Sequence, residues 1–351
     1  MRKIIFTLLL SFTFIGFSQT TAIPDENFEQ ALIDLGYDTA PIDGQVLTAN
    51  IEGVTSLDVR NKNIADLTGI EGFTALITLL CSNNNLTSLD VSNNIALTRL
   101  FCISNQLTSL DVSNNIALTD LRCIDNQLTS LDVSVNPALT ILFCGINQLT
   151  SLDVSQNTAL TQLKCIENQL TSLDVSNNTA LSILDVGNNQ LTGSLNLSNN
   201  FLLGELQCQS NKIEILNIKN GNNTNVTNFN ASTNPDLYCI VVDNIDYSTT
   251  NWTNRDPAST FVNNETDCDA LSLVDNDFEL EVTIYPNPTD NYLFIEGNVN
   301  PVSIIIYNLL GAKVIAKSNT DKIDVSELSK GVYIINISDD VSQTNKKFIK
   351  N

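Results

Sequence analysis

Leucines, a cysteine and an asparagine recur at fixed positions through the middle of the chain. From Leu97 the sequence reads LTRLFCISNQLTSLDVSNNIA, and near-copies of these 21 residues begin at Leu118, Leu139 and Leu160. The shared pattern L-x-x-L-x-C-x-x-N-x-L predicts a short strand with one apolar side, followed by a turn. Since one copy has too little apolar surface to form a core, each is expected to pack against the copies before and after it.

The pattern resembles that of leucine-rich repeat proteins. The pattern also begins at Leu76, Leu181 and Leu203, and weaker copies begin at Val54 and Val226. The resemblance implies a solenoid in which strands of successive coils stack about 4.8 Å apart as a parallel sheet. The predicted fold class is therefore a leucine-rich repeat solenoid with a parallel β-sheet, over residues 51–236.

Two repeated columns indicate what the solenoid interior contains. The asparagine column, represented by Asn105, is expected to bond backbone groups of neighbouring coils at a buried bend. The cysteine column admits three interpretations: a metal site, disulfides, or packing. Val186 takes one cysteine position, and side chains stacked in parallel coils point the same way, so packing is favoured. The other members of this column are Cys81, Cys102, Cys123, Cys144, Cys165 and Cys208.

An open solenoid exposes its core at both ends, so both ends need caps. Residues 19–50 include IPDENFEQALIDLGYD, in which Phe28, Leu32 and Leu35 fall on one helical face. This segment resembles the N-terminal cap of bacterial surface leucine-rich repeat proteins.

The C-terminal cap is predicted over residues 237–268. It contains the only tryptophan, Trp252, and two cysteines that lie off the repeat period. In an exported chain, a disulfide between Cys239 and Cys268 is expected to close this cap.

Composition excludes several functional classes. The chain has no histidine and a formal net charge of -22. Histidine-based nucleophile systems and histidine metal sites are excluded, and nucleic acid and anionic lipid are poor partners for so acidic a surface. No sequence feature singles out a carboxylate pair for catalysis. We therefore predict no enzymatic activity, no cofactor and no metal.

The N-terminus predicts export. Residues 1–18, MRKIIFTLLLSFTFIGFS, have two basic residues followed by an apolar run and small residues, which is the layout of a signal peptide. The alternative, a membrane anchor, would need a longer apolar run. We expect the exported chain not to be an integral membrane protein.

A second domain is predicted after an acidic linker at residues 269–280. Residues 281–351 alternate strand-like runs and turns, as in a small antiparallel β-sandwich. They resemble the C-terminal sorting domain (type A) of type IX secretion substrates. The resemblance implies contact with the type IX secretion machinery and a secreted or outer-surface location on a Gram-negative bacterium. It rests on YPNP, YN with a glycine, GVY and KKFIK, which contain Tyr285, Pro286, Asn287, Pro288, Gly311, Gly331, Lys346 and Lys347.

Side chains that face solvent on the strands differ between coils, whereas LTSLDVS hardly changes. A varied face on a uniform scaffold is typical of a recognition surface. Aromatic, isoleucine and basic residues grouped on one face predict binding of an extracellular protein or polysaccharide. The β-propensity of these residues, with nothing bound, is the alternative explanation. The candidate binding residues are Arg99, Phe101, Ile103, Asp120, Arg122, Ile124, Ile141, Phe143, Gln162, Lys164 and Ile166.

The predicted function is recognition or adhesion by an exported protein; the alternative is a structural surface or biofilm spacer without a specific ligand. One further hypothesis concerns the repeated LDV aspartates, which are expected to form an outward stripe on the other side of each coil. Calcium along that stripe would relieve charge repulsion, although a flat ladder offers few convergent oxygens. The stripe is expected to contain Asp58, Asp90, Asp111, Asp132, Asp153 and Asp174.

Overall fold

The computed structural model describes residues 19–272, 282–297, 303–338 and 343–351. The predicted signal peptide, residues 1–18, and most of the predicted linker lie outside these ranges. The chain divides into two compact units between Leu271 and Ser272.

The first unit opens with a small cap. Strand β1 (Thr20–Ala22) pairs antiparallel with β2 (Gln45–Leu47), and the helices are α1 (Glu26–Asp34) and α2 (Thr48–Ile51). The side chain of Asp25 begins α1 by accepting a hydrogen bond from the backbone N–H of Phe28 at 2.9 Å. The other carboxylate oxygen of Asp25 accepts from the backbone N–H groups of Ala65 and Asp66, which attaches the start of α1 to the first coil.

Of the three residues predicted to form the buried face of the cap helix, two are buried and one is exposed. Phe28 and Leu32 are fully buried in the solenoid core, as expected, but Leu35 is 44% exposed. The helix ends at Asp34, and Gly36 follows with a φ of 79°. Leu35 therefore lies beyond the last turn, where helical periodicity no longer directs its side chain inward.

One short strand from each coil joins a parallel sheet in the order β13–β11–β9–β8–β7–β6–β5–β4–β3. Neighbouring strands are in register, so equivalent residues of successive coils lie side by side, as at Leu100, Leu121 and Leu142. These leucines are fully buried. The strands are β3 (Ser56–Asp58), β4 (Thr78–Leu80), β5 (Arg99–Phe101), β6 (Asp120–Arg122), β7 (Ile141–Phe143), β8 (Gln162–Lys164), β9 (Ile183–Asp185), β11 (Glu205–Gln207) and β13 (Asn228–Asn230).

The last coils contain a second parallel sheet that the repeat pattern did not predict. Its order is β10–β12–β14–β15, with β10 at Thr192–Asn196, β12 at Lys212–Asn217, β14 at Cys239–Val241 and β15 at Thr260–Val262. The segments LTGSLNLS and KIEILNI replace LTSLDVS here. Their alternation of apolar and polar residues suits a strand, so these coils have strands on two sides.

The cysteine column belongs to the packed core. The unbridged cysteines, such as Cys102 and Cys144, and Val186 in the same column are all fully buried. The Cys81 Sγ lies 3.4 Å from the backbone oxygen of Phe101 on the next strand. Packing therefore accounts for these thiols.

Two asparagine columns connect the coils. In the predicted column, the Asn126 amide donates to the carbonyls of Cys102 and Cys123 at 3.0 and 3.1 Å and accepts from the N–H of Leu107. A second column, fully buried, was not predicted. Its member Asn136 donates to the carbonyls of Val112 and Asn115 at 3.1 and 2.9 Å. Each coil is thus bonded to the preceding coil at two bends.

The C-terminal end of the solenoid is closed by aromatic packing and a disulfide. Helices α3 (Ile245–Asn251) and α4 (Glu265–Ser272) lie in this segment. Trp252 stacks on Phe229 with ring centroids 4.5 Å apart, and its indole N–H donates to the carbonyl of Val226. The predicted disulfide is present, joining Cys239 on β14 to Cys268.

The second unit is an antiparallel sandwich, as predicted. One sheet has the order β16–β17–β20 and the other β19–β18–β21–β22. Their inner faces share a core that includes Leu293, Ile306, Ile335 and Phe348. The strands are β16 (Val282–Tyr285), β17 (Tyr292–Gly297), β18 (Ser303–Asn308), β19 (Lys313–Lys317), β20 (Lys322–Asp324), β21 (Gly331–Ser338) and β22 (Gln343–Lys350).

Candidate functional site

The candidate binding residues lie on the solvent face of the long parallel sheet. The third residues of strands β5 to β8 are neighbours in register: Phe101, Arg122, Phe143 and Lys164. Their side chains point away from the core because the residues on either side of each, a leucine and a cysteine, point inward. Aromatic and basic residues therefore alternate along the solenoid axis.

These side chains stack on one another. The Arg122 guanidinium carbon lies 4.5 Å from the ring centroid of Phe101 and 5.0 Å from that of Phe143. Arg99 covers Phe101 at 5.2 Å, and the Lys164 nitrogen lies 5.5 Å from the centroid of Phe143. We call these five residues, Arg99, Phe101, Arg122, Phe143 and Lys164, the cation–π column. Each contact is a favourable cation–π arrangement.

Asp120 differs from the expectation that it faces solvent. It is only 8% exposed, because its two carboxylate oxygens accept hydrogen bonds from the Arg122 guanidinium at 2.9 and 3.0 Å. The pair lies within one strand, β6. A carboxylate at this position neutralises the central arginine and fixes its plane between the two rings.

Isoleucines flank the cation–π column on one side. Ile103, Ile124 and Ile166 are partly exposed and lie two residues after the column positions of their coils. Gly145 interrupts this row, and a Cβ there would approach Ile166 Cγ2 to 2.8 Å, so the glycine leaves room for Ile166. Ile146 follows, 42% exposed. We call Ile103, Ile124, Ile146 and Ile166 the isoleucine stripe.

Ile146 has an unusual backbone. Its φ of 53° is left-handed, a conformation that β-branched residues rarely adopt. Other coils have Asn83, Ser104, Asp125, Glu167, Asn188 or Ser210 at the equivalent turn. An exposed isoleucine is therefore held at a position where the other coils have polar residues. Strain of this kind concentrates at functional surfaces.

The remaining candidates lie on the other side of the column. Ile141 and Gln162 are the first residues of β7 and β8, neighbours in register and partly exposed. Asp185 follows Lys164 in register on β9 and ends the basic stretch. Burial raises the pKa of the Asp185 carboxyl, while the N–H of Gly187 acts in the opposite direction.

The repeated aspartates bond within their own coils. The Asp111 carboxylate accepts from the backbone N–H of Ser113 at 2.8 Å, and Asp90, Asp132, Asp153 and Asp174 do the same with the serine two residues on. The hydroxyl and N–H of Ser113 lower the pKa of Asp111. Among the described residues, no group of three or more acidic or cysteine side chains is placed to hold a metal ion.

Asp58 does not belong to this stripe. It ends strand β3 and lies in register with Leu80, on the same sheet as the cation–π column, and it pairs with Arg60 at 2.7 Å. The prediction was wrong because LDV occurs in two structural settings: residues 57–59 and 184–186 begin within strands of the long sheet, whereas the other copies lie on the opposite side of the coil. The copy of the repeat that begins at Val54 places Asp58 in the strand, and the three letters LDV alone do not show this.

The cysteine column offers no reactive thiolate. Burial raises the pKa of the Cys81, Cys123 and Cys208 thiols to about 12. Burial also raises the pKa of Cys102 and Cys144 well above the usual range, and the neighbouring cysteines add to this shift. These thiols stay protonated and have no access to solvent.

The sorting-motif residues all lie in the second unit, where the YPNP segment contacts the last strand. Asn287 donates to the carbonyl of Lys347 and accepts from the N–H of Ile349, so the YPNP segment is attached to β22. Gly331 begins β21 opposite Lys350, and Lys346 pairs with Ile335. Gly311, with a φ of 77°, lies in the turn between β18 and β19. Tyr285 ends β16, and Pro286 and Pro288 follow with cis peptide bonds.

Residues 283–351 match the family described as the secretion system C-terminal sorting domain. The chain thus combines a leucine-rich repeat solenoid with a C-terminal domain of this sorting family. Its sorting domain makes it an exported protein. Within the part of the chain that the structure describes, no helix has the length and apolar content to cross a membrane.

The solenoid is similar to internalins. The chain is 43% identical over 71 residues to internalin J of Listeria monocytogenes, and this stretch is 20% of the chain and 8% of that protein. The structure of internalin C2 from the same species has a TM-score of 0.52 at 20% identity, covering 64% of this chain and 98% of internalin C2. This similarity shows the fold alone.

A structure of the functional domain of internalin J, described as including a cysteine ladder, aligns with a TM-score of 0.35 at 23% identity. It covers 95% of this chain and 99% of that one.

Proposed function

We propose that the exported chain is a recognition protein that binds an extracellular partner through the solvent face of its long parallel sheet. The cation–π column is the observation that supports this proposal. Five side chains from four coils organise one another on a scaffold whose LTSLDVS segment hardly changes between these coils. Surface aromatic and arginine side chains held in fixed positions are typical of binding hot spots, because little conformational entropy is lost on association.

The step is association, without a reaction. The cysteine thiols of the core are buried and protonated. On the repeated face, formed by the LTSLDVS segments, each aspartate accepts a hydrogen bond from the serine two residues further on, as Asp111 does from Ser113. A location on the outer surface of a Gram-negative bacterium follows from the same proposal, with the type IX machinery as the first partner. The limits of the caps, linker and domains given above stay predictions.

The test is retention of the purified chain on intact neighbouring bacteria or host cells. We expect saturable retention that falls at least tenfold in the variant Phe101→Ala/Phe143→Ala. Phe201→Ala is the matched control, because Phe201 is 52% exposed and lies outside the sheet. Its retention and melting temperature should equal those of the wild type. Equal retention of the double variant, or retention that never saturates, would favour the spacer function instead.

A further inference from the structure

The two halves of the long sheet carry opposite net charges on their solvent face. At the first and third residues of β4 to β7, two arginines and one aspartate give a net charge of +1. At the same positions of β8, β9, β11 and β13, one lysine, one aspartate and one glutamate give -1. A face whose two halves complement each other in charge can bind a second copy of itself.

The outermost charges of this face have no ion pair within the chain. Among the described residues, Arg99 on β5 and Glu205 on β11 take part in no salt bridge. Burial raises the pKa of Asp185 on the neighbouring strand β9, and the charge of Glu205 adds to this shift, although Lys164 acts in the opposite direction. A cation supplied by a partner would therefore be stabilising beside both carboxylates.

A two-fold axis parallel to the strands brings two such faces together with the solenoids antiparallel. When the axis lies between β7 and β8, strands at equal distances from it face each other, so β6 faces β9 of the second copy and β5 faces β11. Arg99 and Glu205 are the first residues of β5 and β11, so they lie opposite each other. Arg122 and Asp185, the third residues of β6 and β9, do the same. Each pair occurs twice because the contact is symmetric.

Other alignments of the two antiparallel faces lack this complementarity. Moving the axis by one strand brings Lys164 opposite either itself or Arg122, and like charges repel. Moving the axis by two strands separates Arg99 from Glu205. With the axis between β7 and β8, Lys164 lies opposite Phe143 of the second copy, where a further cation–π contact can form.

The size of this face suits a weak contact between molecules on two cells. The eight strands from β4 to β13 span about 34 Å, so the contact covers roughly 500 Å² of each copy. A total of roughly 1,000 Å² is at the lower limit for specific association. The C-terminal ends of the antiparallel solenoids point in opposite directions, which suits chains attached to two facing surfaces. Many weak contacts between such surfaces together give stable adhesion.

Building on the proposed function, we propose that the partner of this face is a second copy of the chain, bound antiparallel about an axis between β7 and β8. Two Arg99–Glu205 pairs and two Arg122–Asp185 pairs fix the register. The net charge of -22 opposes the approach of two copies at long range. At physiological ionic strength charges are screened beyond about 8 Å, so the local pairs decide the contact.

Charge reversal tests both the partner and the register. Sedimentation velocity of the purified chain, up to about 300 µM, should show a monomer–dimer equilibrium with a Kd on the order of 10–100 µM. Arg99→Glu and Glu205→Arg each place like charges opposite each other, so each variant alone should dimerise at least about tenfold more weakly. An equimolar mixture of the two variants should recover an affinity within about threefold of the wild type, because opposite charges then face each other in both pairs.

Lys212→Glu is the matched control, because it makes the same charge change as Arg99→Glu at an exposed position outside the long sheet. Its dimerisation should equal that of the wild type. The absence of a dimer at the highest concentration, equal weakening by the control, or a mixture that recovers nothing would overturn the proposal. A two-fold axis along the solenoid, which places Arg99 opposite Phe101 of the second copy, predicts the last of these results.

Retention on cells separates this proposal from the proposed function. If dimerisation fails but retention still depends on Phe101 and Phe143, the proposed function stands and only the second copy is wrong as the partner. If retention fails as well, both are wrong.

Discussion

The strand face and the repeated LTSLDVS face belong to the same coils but use their exposed side chains differently. On the repeated face, Asp111 bonds to Ser113 in its own coil. On the strand face, Arg122 contacts side chains of the coils before and after it. The aspartates of the repeated face bond within their own coil, whereas the side chains of the strand face contact one another across coils. This difference separates the part of the repeat that maintains the solenoid from the part that is free to specialise.

The largest stability effects are expected at the buried asparagines beneath the two faces, and the two columns should contribute unequally. Asn168, on the strand side, accepts from Leu149 and donates to the carbonyls of Cys144 and Cys165. Asn157, on the repeated side, only donates, to the carbonyls of Val133 and Asn136. Asn168→Ala should therefore lower the free energy of unfolding by about 3–5 kcal/mol and Asn157→Ala by about 2–3 kcal/mol.

Chemical denaturation of the intact chain measures both values. Gln169→Ala, at an exposed position next to Asn168, is the control and should change little. A larger loss for Asn157→Ala than for Asn168→Ala would contradict the hydrogen-bond assignment.

The shared strand face should show coupling that an isolated ion pair lacks. Arg122→Ala removes two cation–π contacts and leaves Asp120 nearly buried without its partner, so a loss of about 2 kcal/mol is expected. Arg60→Ala breaks an exposed pair with Asp58 and should cost less than about 1 kcal/mol. Thermal unfolding of both variants gives the comparison; equal losses would mean that the column does not stabilise the face.

The smallest effect should come from the repeated face, as a pH dependence. The folded chain lowers the pKa of Asp111 and Asp132 through hydrogen bonds from Ser113 and Ser134. Their contribution to stability is present above the unfolded-state pKa, about 3.9, and is lost as pH falls through the lower folded-state pKa. Asp111→Asn/Asp132→Asn keeps the accepting oxygen but not the charge.

Between pH 6 and pH 3, the melting temperature of this variant should fall slightly less than that of the wild type. Since the serines already engage these carboxylates, added calcium should leave the melting temperature of the wild type unchanged. An identical acid response in both proteins, or a calcium-dependent rise, would show that the stripe does more than bond to its own turns.

The sequence predicted the columns well because the repeat fixes the register. A copy of the pattern every 21 residues places Cys102 beside Cys123 and Phe101 beside Arg122 without any further information. The Asp120–Arg122 pair was missed, although side chains at i and i+2 of one strand share a face and lie within reach of each other. The second asparagine column also escaped, although Asn94, Asn115 and Asn136 recur as regularly as the first column.

Errors arose where local patterns were extended beyond their element. Leu35 fits the helical period but lies past the helix end, and the LDV of Asp58 matches a motif from the opposite side of the coil. The second sheet of the last coils was not predicted, although the alternation of apolar and polar residues in LTGSLNLS already indicated a strand. In each case the position of the segment in the coil decides its structure.

Photocrosslinking tests most directly whether the strand face binds the partner. A benzoylphenylalanine at Gln162, beside the column, and another at Thr150, exposed on the repeated face, are compared on the same cell surfaces. We expect saturable adducts from position 162 that unlabelled wild-type protein competes away, and none from position 150. Equal adducts from both positions, or adducts from position 150 alone, would contradict binding through the strand face.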